Sequence, residues 1–360
     1  MKSDDKSTGP TTKQLLPPIT SLRGMKMVGD DNLTKTQFEP LVEFGSLVTM
    51  EFRGRSVPAY SDVASGYVFF EPPLLDELND YYQREYPRMQ AKTGYYTIEA
   101  DYAVQKNGYY ADRILSVYTT IMRRPPRSAL ELGCAYGGLV ATMRQRGVAA
   151  QGADINATAI KQGRVARGNE NLIHADNLAA LAQMPGKVDL IYSIGSLEHD
   201  AHMLRVIAEC RERLSSYGLL FLMIPNAMFA GSVFGGFKNN WWVNYPQHLH
   251  MLSPGFIPSM CQALGFLPLF WDTQTLFEGA THPSVLDLFN KRQMTPNRRE
   301  LWSTLLLGAG LGMELNFAIA PDTPESAFRF YKVAQEVHGT LEHSRRQEVK
   351  IRQSLKTASP

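Results

Sequence analysis

The sequence predicts an α/β protein built on a doubly wound, mostly parallel sheet. Three observations carry that prediction. Between Ser128 and Ile224, short apolar runs alternate with amphipathic segments, the signature of βαβ units. A glycine-rich turn, Gly133 to Gly138, joins the first run to a helical pattern, and acidic residues, Asp154 and Asp176, stand where the next two runs end.

Taken in order, residues 1–37 form a tail: Met1 to Pro18 lacks the apolar stretch of a secretory signal. From Phe38 to Phe70, β-prone runs separated by Gly, Pro and Ser predict short strands, ended by Pro72-Pro73. A tyrosine-crowded stretch follows, and its helix, Ala111 to Met122, stops at Arg123-Arg124-Pro125-Pro126, because proline forces its predecessor out of the α region. Residues 38–122 are thus expected to form an N-terminal cap over a main domain at 123–322. In that domain the predicted strands are Ser128–Gly133, Val148–Asp154, Asn171–Ala175, Val188–Ser193 and Gly218–Ile224, with helices over Gly138–Arg146, Ala157–Arg167 and His202–Leu214. A helix at Ser259–Leu264 leads into strand Phe266–Trp271, Met313–Ala320 is a late strand, and residues 276–308 read as a helical insertion. Thr323-Pro324-Glu325 carries a cap, an N1 proline and a dipole-complementing acid, predicting a helix to about Gln347 within the segment 323–360.

With 37 Lys+Arg against 35 Asp+Glu, the chain has no global field that would collect nucleic acid or anionic lipid. The apolar run Leu301 to Ala320 is interrupted by Glu314, Asn316 and glycines, which argues against a membrane span. Cys134, Cys210 and Cys261 are too few and scattered for a disulfide framework or zinc cage, which fits the reducing cytoplasm.

The turn Glu131-Leu132-Gly133-Cys134-Ala135-Tyr136-Gly137-Gly138 lacks the Lys-Ser/Thr of a P-loop. Ala135 weakens a nicotinamide-type reading. Glu131 opposes it further, since a carboxylate repels a pyrophosphate and suits an ammonium group. The turn resembles the E-x-G-x-G-x-G motif of class I S-adenosylmethionine-dependent methyltransferases, with alanine at the middle glycine. The likeness continues in register through GADIN at Asp154, HADN at Asp176-Asn177, VDLIYSIGSLEH from Val188 to His199, and Pro246-Gln247-His248-Leu249-His250 with Leu252-Ser253. The last two resemble the subgroup that includes ubiquinone-biosynthesis O-methyltransferases.

That resemblance implies a seven-stranded Rossmann-like methyltransferase fold with S-adenosylmethionine as cofactor. It assigns Glu131 to the methionine ammonium, Gly133, Ala135 and Gly137 to backbone approach, Asp154 with Ile155 to the ribose, and Asp176-Asn177 to the adenine. Ser193 and Tyr110 complete the expected cofactor set. His199, at the exit of the fourth strand, is the first candidate for a base, with His248 the second; each has a purely structural alternative. The related E-x-x-E-H metal motif lacks its first acid, replaced by Gly195, so no metal is expected. Tyr102, Tyr109, Trp241, Trp242 and Tyr245 are the expected acceptor-binding residues. The expected activity is methylation of a small organic molecule, most simply at oxygen, in secondary metabolism. C- or N-methylation and a non-catalytic cofactor-binding subunit remain as alternatives. No nucleic-acid or membrane partner is expected, and the sequence is compatible with a homodimer.

Overall fold

The computed structural model describes residues 38–40, 42–43, 46–47, 49–62, 64–93, 97–235, 243–274 and 306–333. Six strands come first: β1 (Phe38–Pro40), β2 (Val42–Glu43), β3 (Ser46–Leu47), β4 (Thr49–Phe52), β5 (Arg55–Asp62) and β6 (Val68–Phe70). Helix α1 (Leu75–Asp80) passes through a π-helical turn, Tyr81–Glu85, into α2 (Tyr86–Thr93), followed by α3 (Ile98–Asp101) and α4 (Val104–Met122).

The main layer alternates β7 (Ser128–Leu132), α5 (Gly138–Gln145), β8 (Ala149–Asp154), α6 (Ala157–Arg167), β9 (Leu172–His174), α7 (Asn177–Gln183) and β10 (Val188–Ile194). It continues through a 3-10 turn at Leu197–His199, α8 (Met203–Arg213), β11 (Leu214–Pro225), α9 (Ala230–Gly235), β12 (His250–Met251), α10 (Phe256–Leu264), β13 (Phe266–Gln274) and β14 (Glu314–Pro321). A last helix, α11, occupies 324–333. Each predicted strand and helix of the main layer is present within a few residues, and α7, α9 and β12 are additions that the sequence reading lacks.

Seven strands form one sheet in the order β13-β14-β11-β10-β7-β8-β9. The five from β9 to β11 are parallel, while β14 enters antiparallel beside β11 and β13 pairs antiparallel on its edge. The connections run outward from β7 through β8 to β9, then return to β10, so the strand order reverses between β7 and β10. Ligands of open α/β sheets bind at the carboxyl ends beside such a switch point.

Apolar surface is buried on both faces, as a parallel sheet requires. One face packs Leu181 of α7, Leu204 and Ile207 of α8 and Ile257 and Met260 of α10. The other packs Ile114 and Tyr118 of α4 with Leu139, Val140 and Met143 of α5 and Ile160 of α6. Helix α4, which the sequence reading assigns to the cap, therefore belongs to the sheet layer; its buried Asn107, Ala111, Ile114, Tyr118 and Ile121 form the stripe that dictates this. It ends where Arg123 turns left-handed ahead of the double proline. Local signals set other ends too: Asn156 caps α6 through Ala159 N at 3.0 Å and Gly168 terminates it in αL, and Thr323 Oγ1 caps α11 through Ser326 N at 3.2 Å.

The cap is a second, antiparallel sheet, β1-β5-β6-β12, with β4 also on β5; β2 and β3 pair separately. Its last strand, β12, comes from beyond β11, so the cap and the main domain share a core: Phe52, Val68, Phe70, Leu78 and Tyr81 pack with Tyr245, Leu249 and Met251. All three cysteines are buried and free, and among the described residues no helix is long and apolar enough to cross a membrane. The proposed insertion at 276–308 lies almost wholly outside the described residues, as does α11 beyond 333.

Candidate active site

The glycine turn is shaped by what packs on it. Gly133 has φ +76°, and a Cβ there would overlap Ser196 Oγ, on the loop that leaves β10 across the switch point. Glycine thus lets the exits of β7 and β10 close on one another. Ala135, where the motif has glycine, still adopts φ +48°. Its N–H donates to Asp154 Oδ2 at 2.8 Å, which ties the turn to the end of β8 and holds a conformation alanine does not favour.

Three carboxyls surround this turn. Glu131, at the end of β7, is 5% exposed and its Oε2 has no hydrogen-bond partner. Burial, reinforced by Asp101 and Asp154, pushes its pKa well above the usual range. Asp154 accepts from Asn156 N at 2.7 Å as well as from Ala135, and burial raises its pKa against those bonds. Asp101, at the end of α3, accepts from Gly138 N at 2.8 Å, and burial lifts it to about 6. At the next strand end, Asp176 caps α7 through Ala179 N at 2.7 Å, while Asn177 Nδ2 donates to Asp200 at 2.8 Å.

All of these side chains line a single cavity of about 650 Å³, within the range of small-molecule and cofactor sites. The arrangement fits the group the sequence implies. A buried carboxyl with one oxygen unpartnered and a second acid nearby suits an ammonium group, and Asp154, Ile155, Asp176, Asn177 and Leu178 line the same cavity. No cation among the described side chains neutralises Glu131 by direct contact.

The other end of the cavity centres on His199. Its Nδ1 meets the Gln247 backbone carbonyl, its Nε2 lies 3.2 Å from Gly195 O, and Glu198 Oε1 is 3.8 Å from Nε2. The rings of Tyr82, Tyr86 and His248 stand 5.8, 6.2 and 4.9 Å away. Burial lowers the His199 pKa to about 4, opposed by the two carbonyl contacts, so the imidazole is neutral at pH 7. Glu198 is fully buried, with Oε2 unpartnered, and is pushed up to about 8. Atoms of Glu198, His199 and His248 all lie within 4.8 Å of one another. His250 contrasts with this group: Tyr67 OH at 2.7 Å and Asp200 O at 3.1 Å occupy both its nitrogens, which gives it a structural place.

Among the expected residues, Tyr110, Glu131, Gly133, Ala135, Asp154, Ile155, Asp176, Asn177 and His199 line the cavity. Gly137 and Ser193 do not; Gly137 caps α5 and Ser193 is enclosed within β10. His248 is buried behind His199 rather than on the wall. Tyr102 braces the glycine turn, its hydroxyl donating to Tyr136 O at 3.1 Å. Tyr109 is 52% exposed against Gln274, and Tyr245 is packed in the cap core with its hydroxyl on Glu71 O at 2.9 Å. Trp241 and Trp242 lie outside the described residues. The sequence reading omits Leu78, Asn79, Tyr82 and Tyr86 from the cap, Asp101 at the end of α3 and Lys106 at the start of α4, all of which line the cavity. The four-residue spacing of Leu78, Tyr82 and Tyr86 is the available signal: it places them on one helical face.

Residues 102–268 match the family model described as a methyltransferase domain. A ubiquinone biosynthesis O-methyltransferase of Chelativorans sp. (strain BNC1) is 32% identical over 114 residues, which are 29% of this chain and 45% of that protein. The chain thus spans under half the length of that curated relative. Among solved structures, the plantazolicin methyltransferase BpumL, in complex with a monoazolic desmethylPZN analog and SAH, has a TM-score of 0.46 at 14% identity, covering 69% of this chain and 97% of that one. A SAM-dependent methyltransferase from Archaeoglobus fulgidus has a TM-score of 0.41 at 16% identity, covering 59% and 93%.

Proposed function

We propose that the chain, whose residues 102–268 match a methyltransferase domain, is a class I S-adenosylmethionine-dependent methyltransferase that methylates a hydroxyl oxygen of a small organic molecule, with His199 as the base. The observation that carries the reading is the placement of a neutral histidine on the wall of the cavity whose other end is lined with carboxyls.

Glu131 and Asp101 receive the ammonium of the cofactor's methionine, Asp154 its ribose hydroxyls, and Asp176 with Asn177 its adenine. When bound, S-adenosylmethionine supplies an activated methyl on a sulfonium centre. The protein's remaining work is to hold an electron-rich atom in line in a dry pocket and to take its proton. Donation of Nδ1–H to the Gln247 carbonyl leaves the lone pair on Nε2. Nε2 therefore accepts the acceptor's proton, and Gly195 O, 3.2 Å away, then accepts a hydrogen bond from the new Nε2–H. Leu78, Tyr82 and Tyr86 form the apolar wall against which the acceptor lies.

Methylation at carbon or nitrogen by the same cofactor site, and a binding subunit without turnover, are the competing readings. Titration with S-adenosylmethionine and S-adenosylhomocysteine separates a binder from a non-binder. Release of S-adenosylhomocysteine with hydroxyl, amine and enol acceptors separates the chemistries. The proposal expects hydroxyl-dependent release that falls sharply in His199→Gln; unchanged release in that variant removes His199 as the base. Secondary metabolism and a cytoplasmic location accord with this reading and belong to it.

A further inference from the structure

We propose that Tyr82 is a positioning residue for this reaction: its hydroxyl and His199 share one backbone carbonyl, and the π-helical turn carrying Tyr82 links the cofactor end of the cavity to the base. The inference rests on the reading of His199 as the base.

Tyr82 OH donates to Gln247 O at 2.8 Å, the same oxygen that His199 Nδ1 meets. A carbonyl oxygen has two lone pairs and no proton, so both partners must be donors there. A neutral His199 has one proton for two carbonyls, Gln247 O at Nδ1 and Gly195 O 3.2 Å from Nε2; by holding Gln247 O in place against Nδ1, Tyr82 favours the Nδ1–H form, in which Nε2 keeps the lone pair that the base requires. Burial raises the Tyr82 phenol well above its ordinary pKa, so it remains a donor at working pH.

The segment that carries the Gln247 carbonyl is itself held from several sides. Asn244 Nδ2 donates to Gln247 Oε1 at 2.8 Å, His248 N donates to Asn244 O at 2.9 Å, and Leu249 N donates to Glu198 O at 3.0 Å. Segment 244–249 is therefore laced to the 3-10 turn that carries His199.

The residue beside Tyr82 reaches the opposite way. Gln83 Nε2 donates to Ile155 O at 2.6 Å, immediately after Asp154 at the ribose-binding strand end. Adjacent side chains of one helical turn thus hold backbone carbonyls at both ends of the cavity. Tyr81, the preceding residue, anchors the turn in the cap core, edge-on to Phe52 with ring centroids 6.4 Å apart. A wider i→i+5 turn offsets the drift that four-residue steps accumulate in a 3.6-residue helix, so Leu78, Tyr82 and Tyr86 all stay on the cavity wall.

The test is the tautomer of His199, which needs no acceptor. Full-length protein labelled with ¹⁵N-histidine is examined by long-range ¹H–¹⁵N correlation, with His199→Gln identifying the resonance. Wild type is expected to carry the proton on Nδ1. Tyr82→Phe keeps the ring and removes only the hydroxyl, and should shift the tautomer ratio toward Nε2–H by about 2–10-fold, the size one neutral hydrogen bond carries. Its affinity for S-adenosylmethionine should change less than twofold, by the same token as an unaltered cofactor site. Saturating S-adenosylhomocysteine should move the His199 signals in wild type, and Gln83→Ala should abolish that response while the fold is retained. An unchanged tautomer ratio in Tyr82→Phe overturns the proposal. So does a loss of cofactor affinity in Tyr82→Phe equal to that of Asp154→Ala, which would place Tyr82 in the cofactor site. Retained turnover in His199→Gln defeats the base reading by a separate measurement, so the two failures are distinguishable.

Discussion

At the cofactor end of the cavity, Glu131, Gly133, Ala135 and Asp154 come from two adjacent parallel strands and the turns that leave them, and Ala135 N binds Asp154 directly. At the acceptor end, Tyr82 and Gln247 meet across 165 residues, and His199 sits between them on a third segment. The first region is the edge of one sheet; the second is assembled where a separate antiparallel cap docks on that edge. A cofactor site of the first kind follows from strand spacing alone, whereas an acceptor site of the second kind changes whenever the cap changes. Under the proposed function, the sheet edge fixes the reaction and the cap fixes which molecule enters it.

The sharpest way to break this division is to damage each end separately. Asp154→Ala should weaken S-adenosylmethionine binding by about 10²-fold or more, since it removes charged acceptors worth about 1.5–3 kcal/mol per hydrogen bond. It should also lower the melting temperature, because Ala135 loses its tether. His199→Gln should leave that affinity within twofold and reduce turnover by about 10²–10⁴-fold, the range of general-base catalysis. If both variants lose affinity alike in calorimetric titration, the two ends are not separable.

A smaller effect tests the acids around the glycine turn. Burial lifts Asp101 to about 6 and holds the Glu131 carboxyl well above the usual carboxylate range, so each is protonated at acid pH and cannot pair with an ammonium. Cofactor affinity should therefore fall as pH drops through 6, with proton release on binding at neutral pH. Asp101→Asn should flatten that dependence; a profile with the same slope in the variant removes Asp101 from the site.

The smallest effect is on stability. His199 and His250 are depressed to about 4 from the usual 6.5, so the unfolded chain binds more protons than the folded one between those values. Their contribution is complete above pH 6.5 and is lost as pH falls toward 4. The denaturant midpoint should drop over that window, and His250→Phe should reduce the drop if its volume is accommodated. A midpoint that is flat from pH 6.5 to 4.5 contradicts the burial assigned to both rings.

How much of this was legible in the sequence follows the same division. The sheet was readable because its signals are local: apolar runs, caps such as Asn156, and breakers such as Gly168 and Pro125 each act within a few residues. Glu131, Asp154 and Asp176 were readable because each lies in or just after the last residues of a strand and so stands at its carboxyl end. The acceptor wall was not. Tyr102, Tyr109 and Tyr110 lie nearest the main domain in sequence, yet of these only Tyr110 lines the cavity, because α1, the π-helical turn and α2 bring Tyr82 and Tyr86 back over it. Tyr245 is aromatic and close to His248 in the chain, but its hydroxyl and ring are spent on the cap core. Proximity in sequence carries little information where the neighbours are supplied by a second sheet.

The central claim is that this cavity binds S-adenosylmethionine through its carboxyl edge. Calorimetric titration of the full-length protein beside Asp154→Ala tests it most directly. The wild type should bind S-adenosylmethionine and S-adenosylhomocysteine saturably, with severe loss in the variant. Folded wild-type protein that binds neither at millimolar concentration would contradict it.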